Sequence, residues 1–253
     1  MKFKLLIATI FSTFFTFSAL LHIPIQWVVE QAPKVRALTL TGLSGTPWKG
    51  QVDSLSWQRV NYGQVQWQID PFAILKGHAV FSVRFGRGSE LELRGKGVVG
   101  YSVSMGAYAE NMVVSFPVSN VMNRLPMALP VSLQGQAEVS VKYFQQGQPW
   151  CKQASGEVVW SGGKIISPLG NIDPKTAIAE VTCVDNKVTL ISKQASDDVA
   201  SQFNVVLNPN RSYQVNGWFK PEANFPSSLR SQLKWLGKPD SKGQYKVTYS
   251  GRL

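Results

Sequence analysis

Residues 131–143 read VSLQGQAEVSVKY, and this stretch decides the fold. Its odd positions are Val131, Leu133, Gly135, Ala137, Val139, Val141 and Tyr143; its even positions are Ser132, Gln134, Gln136, Glu138, Ser140 and Lys142. Successive side chains of a β-strand point to opposite faces, so the segment is a strand with one dry and one wet face. The same period runs from Leu91 through Leu93, Gly95, Gly97, Val99, Tyr101 and Val103 to Met105, with glycines that permit bending. Shorter runs recur at Ser54 to Trp57, Gln64 to Ile69, Ala79 to Phe85, Lys187 to Ser192, Phe203 to Leu207, Tyr213 to Phe219 and Tyr245 to Tyr249. Strand follows strand without helical crossovers, which predicts a mainly β fold built on one or more long, curved antiparallel sheets.

Two segments of this region read as helical. Ser119 caps a short helix over Asn120 to Leu125 that Pro126 ends, and Pro226 to Leu236 sets Leu229, Leu233 and Leu236 on one face with Gly237 as the stop. No linker divides the β region. The Pro-spaced stretch from Pro117 to Pro130 is its best internal boundary, so two halves are expected to meet near 117–130.

Lys2 and Lys4 precede a run from Leu5 to Val29 whose only ionisable residue is His22. About 20 helical residues cross a bilayer, and no small-x-small cleavage site closes the run, so residues 5–29 are expected to be an uncleaved transmembrane helix. The positive-inside tendency leaves residues 1–4 in the cytoplasm and exports 30–253 as a periplasmic β domain of a bacterial inner-membrane protein. Export favours a disulfide between Cys151 and Cys183 over two buried free thiols, and it argues against nucleic acid as a partner. The chain carries 26 basic and 15 acidic residues, a net +11. That excess fits a solvated surface, anionic head groups or an acidic partner protein.

The catalytic signatures fail on context. Gly95 to Gly100 satisfies G-x-G-x-x-G, but Tyr101 to Met105 continues as a strand where a dinucleotide site needs a helix. Ser161-Gly162-Gly163-Lys164 satisfies S-x-x-K, yet its two glycines favour a turn. His78 stands alone outside the apolar run, without partners for a metal. No catalytic residue, cofactor or metal is expected. The tryptophans at 48, 57, 67, 150, 160, 218 and 235 are read as strand and core packing.

Leu43-Ser44-Gly45-Thr46-Pro47-Trp48-Lys49-Gly50, followed by Trp67 to Gly77 with Pro71 between, resembles the G-T-x-W-x-G and W-x-x-x-P-x-x-L-x-x-G patterns of the type II secretion system protein N family. Leu233, Leu236, Gly237, Asp240, Gly243 and Tyr245, with Gly251 and Leu253 at the end, are similar to that family's carboxyl-terminal pattern, and the pair Cys151 and Cys183 also fits. The resemblance implies a non-enzymatic accessory of the machine that moves folded proteins from the periplasm across the outer membrane, with inner-membrane secretion components as partners. The rival reading is a lipid-handling protein, because a long sheet with one apolar face can curl into a groove for acyl chains. A continuous dry face left uncovered by helices would mark it.

Overall fold

The strand expected at 131–143 lies in the middle of one very wide sheet. The computed structural model describes residues 2–33, 35–122, 124 and 130–253, with side chains at all of these but 2–6, 8, 17 and 20. Helices α1 (Lys2–Leu21) and α2 (Ile25–Gln31) open the chain. Then come β1 (Leu38–Thr41), β2 (Ser44–Gly45), β3 (Lys49–Val52), β4 (Ser54–Trp57), β5 (Val60–Asn61) and β6 (Gln64–Ile69). A one-turn helix, α3 (Pro71–Ile74), leads to β7 (His78–Arg87), β8 (Arg94–Ser102) and β9 (Gly106–Pro117), and α4 (Val118–Met122) follows. The long strands β10 (Ser132–Gln146), β11 (Cys151–Ser167) and β12 (Gly170–Val184) precede β13 (Lys187–Ala195), β14 (Val199–Leu207) and β15 (Ser212–Pro221). Helix α5 (Ser227–Gln232), a 3₁₀ turn (Leu233–Leu236) and β16 (Tyr245–Arg252) complete the chain.

Thirteen strands pair antiparallel in the order β16-β15-β14-β13-β12-β11-β10-β9-β8-β7-β6-β3-β2, while β1-β4-β5 form a small separate sheet. From β6 onward every neighbour in the large sheet is also the neighbour in sequence. Such a meander follows from short connections between alternating segments. β9 pairs with β10 from Pro117 opposite Gln136 to Tyr108 opposite Gln145, so the strands flanking 117–130 are adjacent members of one sheet.

Several expectations need adjustment. The apolar run from Leu5 to Val29 is two helices: α1 ends at Leu21 and α2 starts after Pro24. Proline has no N–H to give and drives the residue before it out of helical geometry. Among the described residues, no helix is long and apolar enough to cross a membrane. The strand read over 91–105 is confined to Arg94–Ser102, because Glu92 turns the chain at φ 52° and the Met105 N–H donates to Ser102 Oγ at 3.1 Å to close the next turn. The helix read over 226–236 changes from α to 3₁₀ at Leu233, and of its expected apolar face Leu233 is buried but Leu236 is exposed. Of the helix read over 120–125, the structure has α4 ending at Met122; Leu125 and Pro126 lie outside the described residues. Trp57 and Trp235 are exposed and contribute no core packing.

Candidate functional site

Register converts the two-faced strands into two-faced rows. One row crosses the sheet through Gly50, Trp67, Val83 and Gly97, reaches Met112 and Val141, and continues through Gly156, Val181, Leu190, Val205, Val215 and Tyr249. It has no polar side chain until the Tyr249 hydroxyl. The adjacent row, on the opposite face, runs Gln51, Gln66, Arg84, Lys96, Val113, Ser140, Glu157, Glu180, Ile191, Asn204, Asn216 and Thr248.

A sheet with a dry face normally buries it under a second layer. Here nothing of the kind is present among the described residues. Every member of the apolar row is half-buried except the exposed Tyr249, and the largest fully buried side chain among the described residues is Cys183. The accessible surface is 17161 Å², whereas a compact monomer of 28.0 kDa would show about 11,000 Å². The exposed terminal helix supplies part of the excess. The rest is a sheet with solvent on both sides.

The apolar face is nevertheless more sheltered than the polar one. Trp150, in the turn before β11, donates its indole N–H to the carbonyl of Asn208 at 3.1 Å, reaching past β12 and β13 to the end of β14. Under this turn lies a cavity of about 500 Å³ lined by Val99, Ala107, Ala109, Phe144, Pro149 and Trp150. On the polar side a wider groove of about 1160 Å³ is lined by Lys49, Gln51, Gln66, Arg84 and Lys96. Arg84 faces Lys96 across the strands, an unfavourable pairing of like charges that attracts anions to that surface.

Because the sheet is a meander, its turns fall at two ends. At one end stand the small sheet, α4, α5 and the 3₁₀ turn. The segment after β15 spans this end, with Glu222 N donating to Asp198 O at 2.8 Å, Asn224 N to Asp197 O at 3.0 Å, and Ser228 Oγ to Leu169 O. All three ion pairs found among the described residues lie here: Arg124 with Glu90, Lys175 with Asp197, and Lys220 with Glu222. Lys175 holds the Asp197 carboxyl below the usual carboxylate range, chiefly by their hydrogen bond, and is itself raised by it.

The other end is bare. Phe72, Leu75 and Val103 are 72%, 84% and 93% exposed there, on α3, the residue after it and the β8–β9 turn. Lys76 and Arg211 on the turns of the same end, and Lys152 and Lys187 at the adjoining ends of β11 and β13, are exposed, and none is in an ion pair. Asp70 and Asp185 are the acidic residues of these turns, and Asp70 is engaged as the α3 cap, accepting from Phe72 N at 2.9 Å. The Cys151–Cys183 disulfide ties β11 to β12 here, with the two Cα atoms 6.3 Å apart.

The residues singled out from the sequence do not converge on one centre. Gly45, Trp48, Gly50, Trp67, Pro71 and Gly77 cluster at the β2 edge and bare end, Leu236, Gly237 and Gly243 at the braced end beside β16, and Gly251 in β16. Their roles are structural. Gly45 has φ 92°, and a Cβ there would strike the carbonyl of Lys49. Gly50 lies directly under the Trp67 ring, whose N–H donates to Pro47 O at 3.2 Å. At the opposite edge Tyr213 covers Gly251 in the same manner. Pro71 starts α3, and Gly77 and Gly237 end helical turns. The sequence reading missed the bare end, because its residues come from turns far apart in the chain. The signal available was an apolar residue within each of two turns, Leu75 beside Lys76 and Val103.

The family model for type II secretion system (T2SS), protein N matches residues 36–248. The chain is 41% identical over 244 residues to the type II secretion system protein N of Vibrio cholerae serotype O1, covering 96% of each chain. It is 33% identical over 256 residues to the protein of that name from Aeromonas hydrophila, covering 100% of both. It is also 20% identical over 230 residues to the one from Pectobacterium carotovorum, covering 89% of this chain and 88% of the relative. No solved structure matches. The match runs from the start of the small sheet into the last strand of the large one, and the chain belongs to the type II secretion system protein N family.

Proposed function

We propose that this chain is a non-enzymatic accessory of type II secretion, held in the bacterial inner membrane by α1 with residues 30–253 in the periplasm, where it contacts inner-membrane components of the machine. The observation that carries the reading is the family match across residues 36–248. The anchor rests on the uncharged sequence from Leu5 to Leu21, which follows Lys2 and Lys4 in α1.

Contact is assigned to the β16 edge. β16 pairs on one side with β15, and its other side presents free N–H and C=O groups to an incoming strand. The β2 edge, two residues long, offers far less.

Deletion of the gene should leave periplasmic export intact and impair release of type II substrates into the medium. Lys246→Glu with Arg252→Glu, both exposed on β16, should reproduce that defect at normal protein level. Unchanged secretion in the deletion strain would overturn the reading. Loss of periplasmic proteins themselves would do so too, since it would place the defect in general export.

A further inference from the structure

We propose that the apolar face of the sheet is a binding channel for the acyl chains of an anionic diacyl phospholipid, entered at the bare end. The inference goes beyond the secretion reading and stands independently of it.

An unfilled dry face is the anomaly to be explained. The apolar row crosses twelve strands with every member but its last only half-buried, and such a face is stable in water only if something apolar covers it. A peptide lying along it would bury amides with few partners, because the row offers no free donor or acceptor before the Tyr249 hydroxyl, the Trp67 N–H being engaged by Pro47 O. A second copy packed face to face needs two open planes about 10 Å apart. This face is overhung by Trp150 at one end, and the segment after β15 crosses the other end of the sheet. Hydrocarbon chains carry no polar groups and are thin enough to lie in a curled face.

The bare end supplies the entrance and the charge. The cavity of about 500 Å³ is lined by Val99, Ala107, Ala109 and Phe144 of the apolar face together with the Trp150 turn of that end. Phe72, Leu75 and Val103 are exposed at the same end, Phe72 along the wider groove, with Lys76, Lys152, Lys187 and Arg211 unpaired on its turns and strand ends. Exposed apolar tips among unpaired cations match the boundary between acyl chains and anionic head groups. The opposite end carries the three ion pairs, beside exposed cations outside them such as Arg87, Arg94 and Lys242, and is crossed by the segment after β15. The chain therefore has one mouth, and its charge selects a negative head group.

The test uses the full chain reconstituted in phosphatidylglycerol vesicles carrying a trace of phosphatidylglycerol with a diazirine near the end of one acyl chain. After irradiation, adducts are mapped by tandem mass spectrometry. Adducts are expected at Val139, Val158, Leu190 and Val205 of the apolar face and not at Ser140, Glu157, Thr189 and Asn204 of the other. Phosphatidylcholine vesicles with the matching probe should give about tenfold less labelling or lower. The exposed quadruple variant Lys76→Glu, Lys152→Glu, Lys187→Glu, Arg211→Glu should show a similar loss while its unfolding midpoint stays unchanged. Labelling confined to α1, or to Phe72, Leu75 and Val103, would mean bilayer contact without chain uptake and would overturn the proposal. Equal labelling of both faces, or a stable dimer whose intermolecular crosslinks occupy the apolar face, would overturn it as well.

Discussion

The two ends of the large sheet are stabilised by opposite means. The braced end is closed by non-strand elements, with three ion pairs and carbonyl-to-amide bonds from the segment after β15. The bare end has turns, the one-turn helix α3, a covalent bridge and unpaired cations. Turns that carry exposed Phe72, Leu75 and Val103 cannot be fastened by burial without losing the surface they present. A disulfide holds β11 to β12 there without covering anything. The contrast teaches that exposure at the bare end is compatible with a rigid frame.

The strongest way to break that arrangement is at the bridge. Cys151→Ser with Cys183→Ser should lower unfolding free energy by about 3–4 kcal/mol, the chain-entropy value for a loop of this length. Urea denaturation measures it, and hydrogen exchange should show the turns at 147–150 and 185–186 losing protection before the segment at 222–236. Equal loss at both ends would show that the two are not independently fastened.

Next come the lateral edges, where an aromatic ring lies over a glycine. Gly50→Val drives a Cβ to within 2.5 Å of the Trp67 ring, and Gly251→Val drives one to 2.6 Å from the Tyr213 hydroxyl. Each should cost about 1–3 kcal/mol by overpacking. Adding Tyr213→Ala to Gly251→Val should recover part of the loss, since the clash disappears with the ring. The Gly50 change should not be rescued so fully, because its Cβ would also lie 2.7 Å from the Ser44 carbonyl.

These positions show what was legible beforehand. Strand existence was readable wherever the period-two pattern is unbroken, as at Gln64–Ile69, which matches β6 residue for residue. The lengths of β11 and β12 were not, since Gly162 and Gly163 and the register shifts around them interrupt the alternation. The disulfide was readable from two isolated cysteines. The continuity of the apolar face was not, because it exists only after thirteen strands are set in register, and the 91–105 reading placed Val103 on the dry face when it stands 93% exposed in a turn. Family glycines were visible as a pattern, but only the rings of Trp67 and Tyr213 show why a side chain at Gly50 or Gly251 is excluded.

Charge reversals sharpen the comparison with smaller effects. Arg124→Glu breaks a pair that is more than two-fifths exposed on both sides and should cost under about 1 kcal/mol. Lys187→Glu at the bare end removes no pair and should stay within about 0.5 kcal/mol of the parent. A larger cost for Lys187→Glu than for Arg124→Glu in matched urea titrations would contradict the assignment of paired and unpaired charge to the two ends.

The smallest effect is one of pH, and it belongs to the braced end. Asp240 sits in the connection to β16, where its carboxylate accepts from the backbone N–H of Gln244 at 3.0 Å and of Lys242 at 2.9 Å. The Gln244 bond most of all, helped by the Lys242 bond and by the charges of Lys246 and Lys242, holds its carboxyl below the usual carboxylate range. A carboxyl lowered in the folded state contributes stability that is fully present above its unfolded value, about 3.9, and is lost as pH falls through the lower folded value. Asp197 is lowered in the same direction by Lys175. Acid should therefore loosen the braced end first. Protection of the amides at 242–246, corrected for intrinsic exchange, should hold steady from pH 5 to 8 and decline below about pH 4, while the disulfide-held turns at 147–150 change little. Asp240→Asn keeps an acceptor without a titrating group, so it should flatten that decline. An acid transition of the same depth in Asp240→Asn would assign it to another carboxylate.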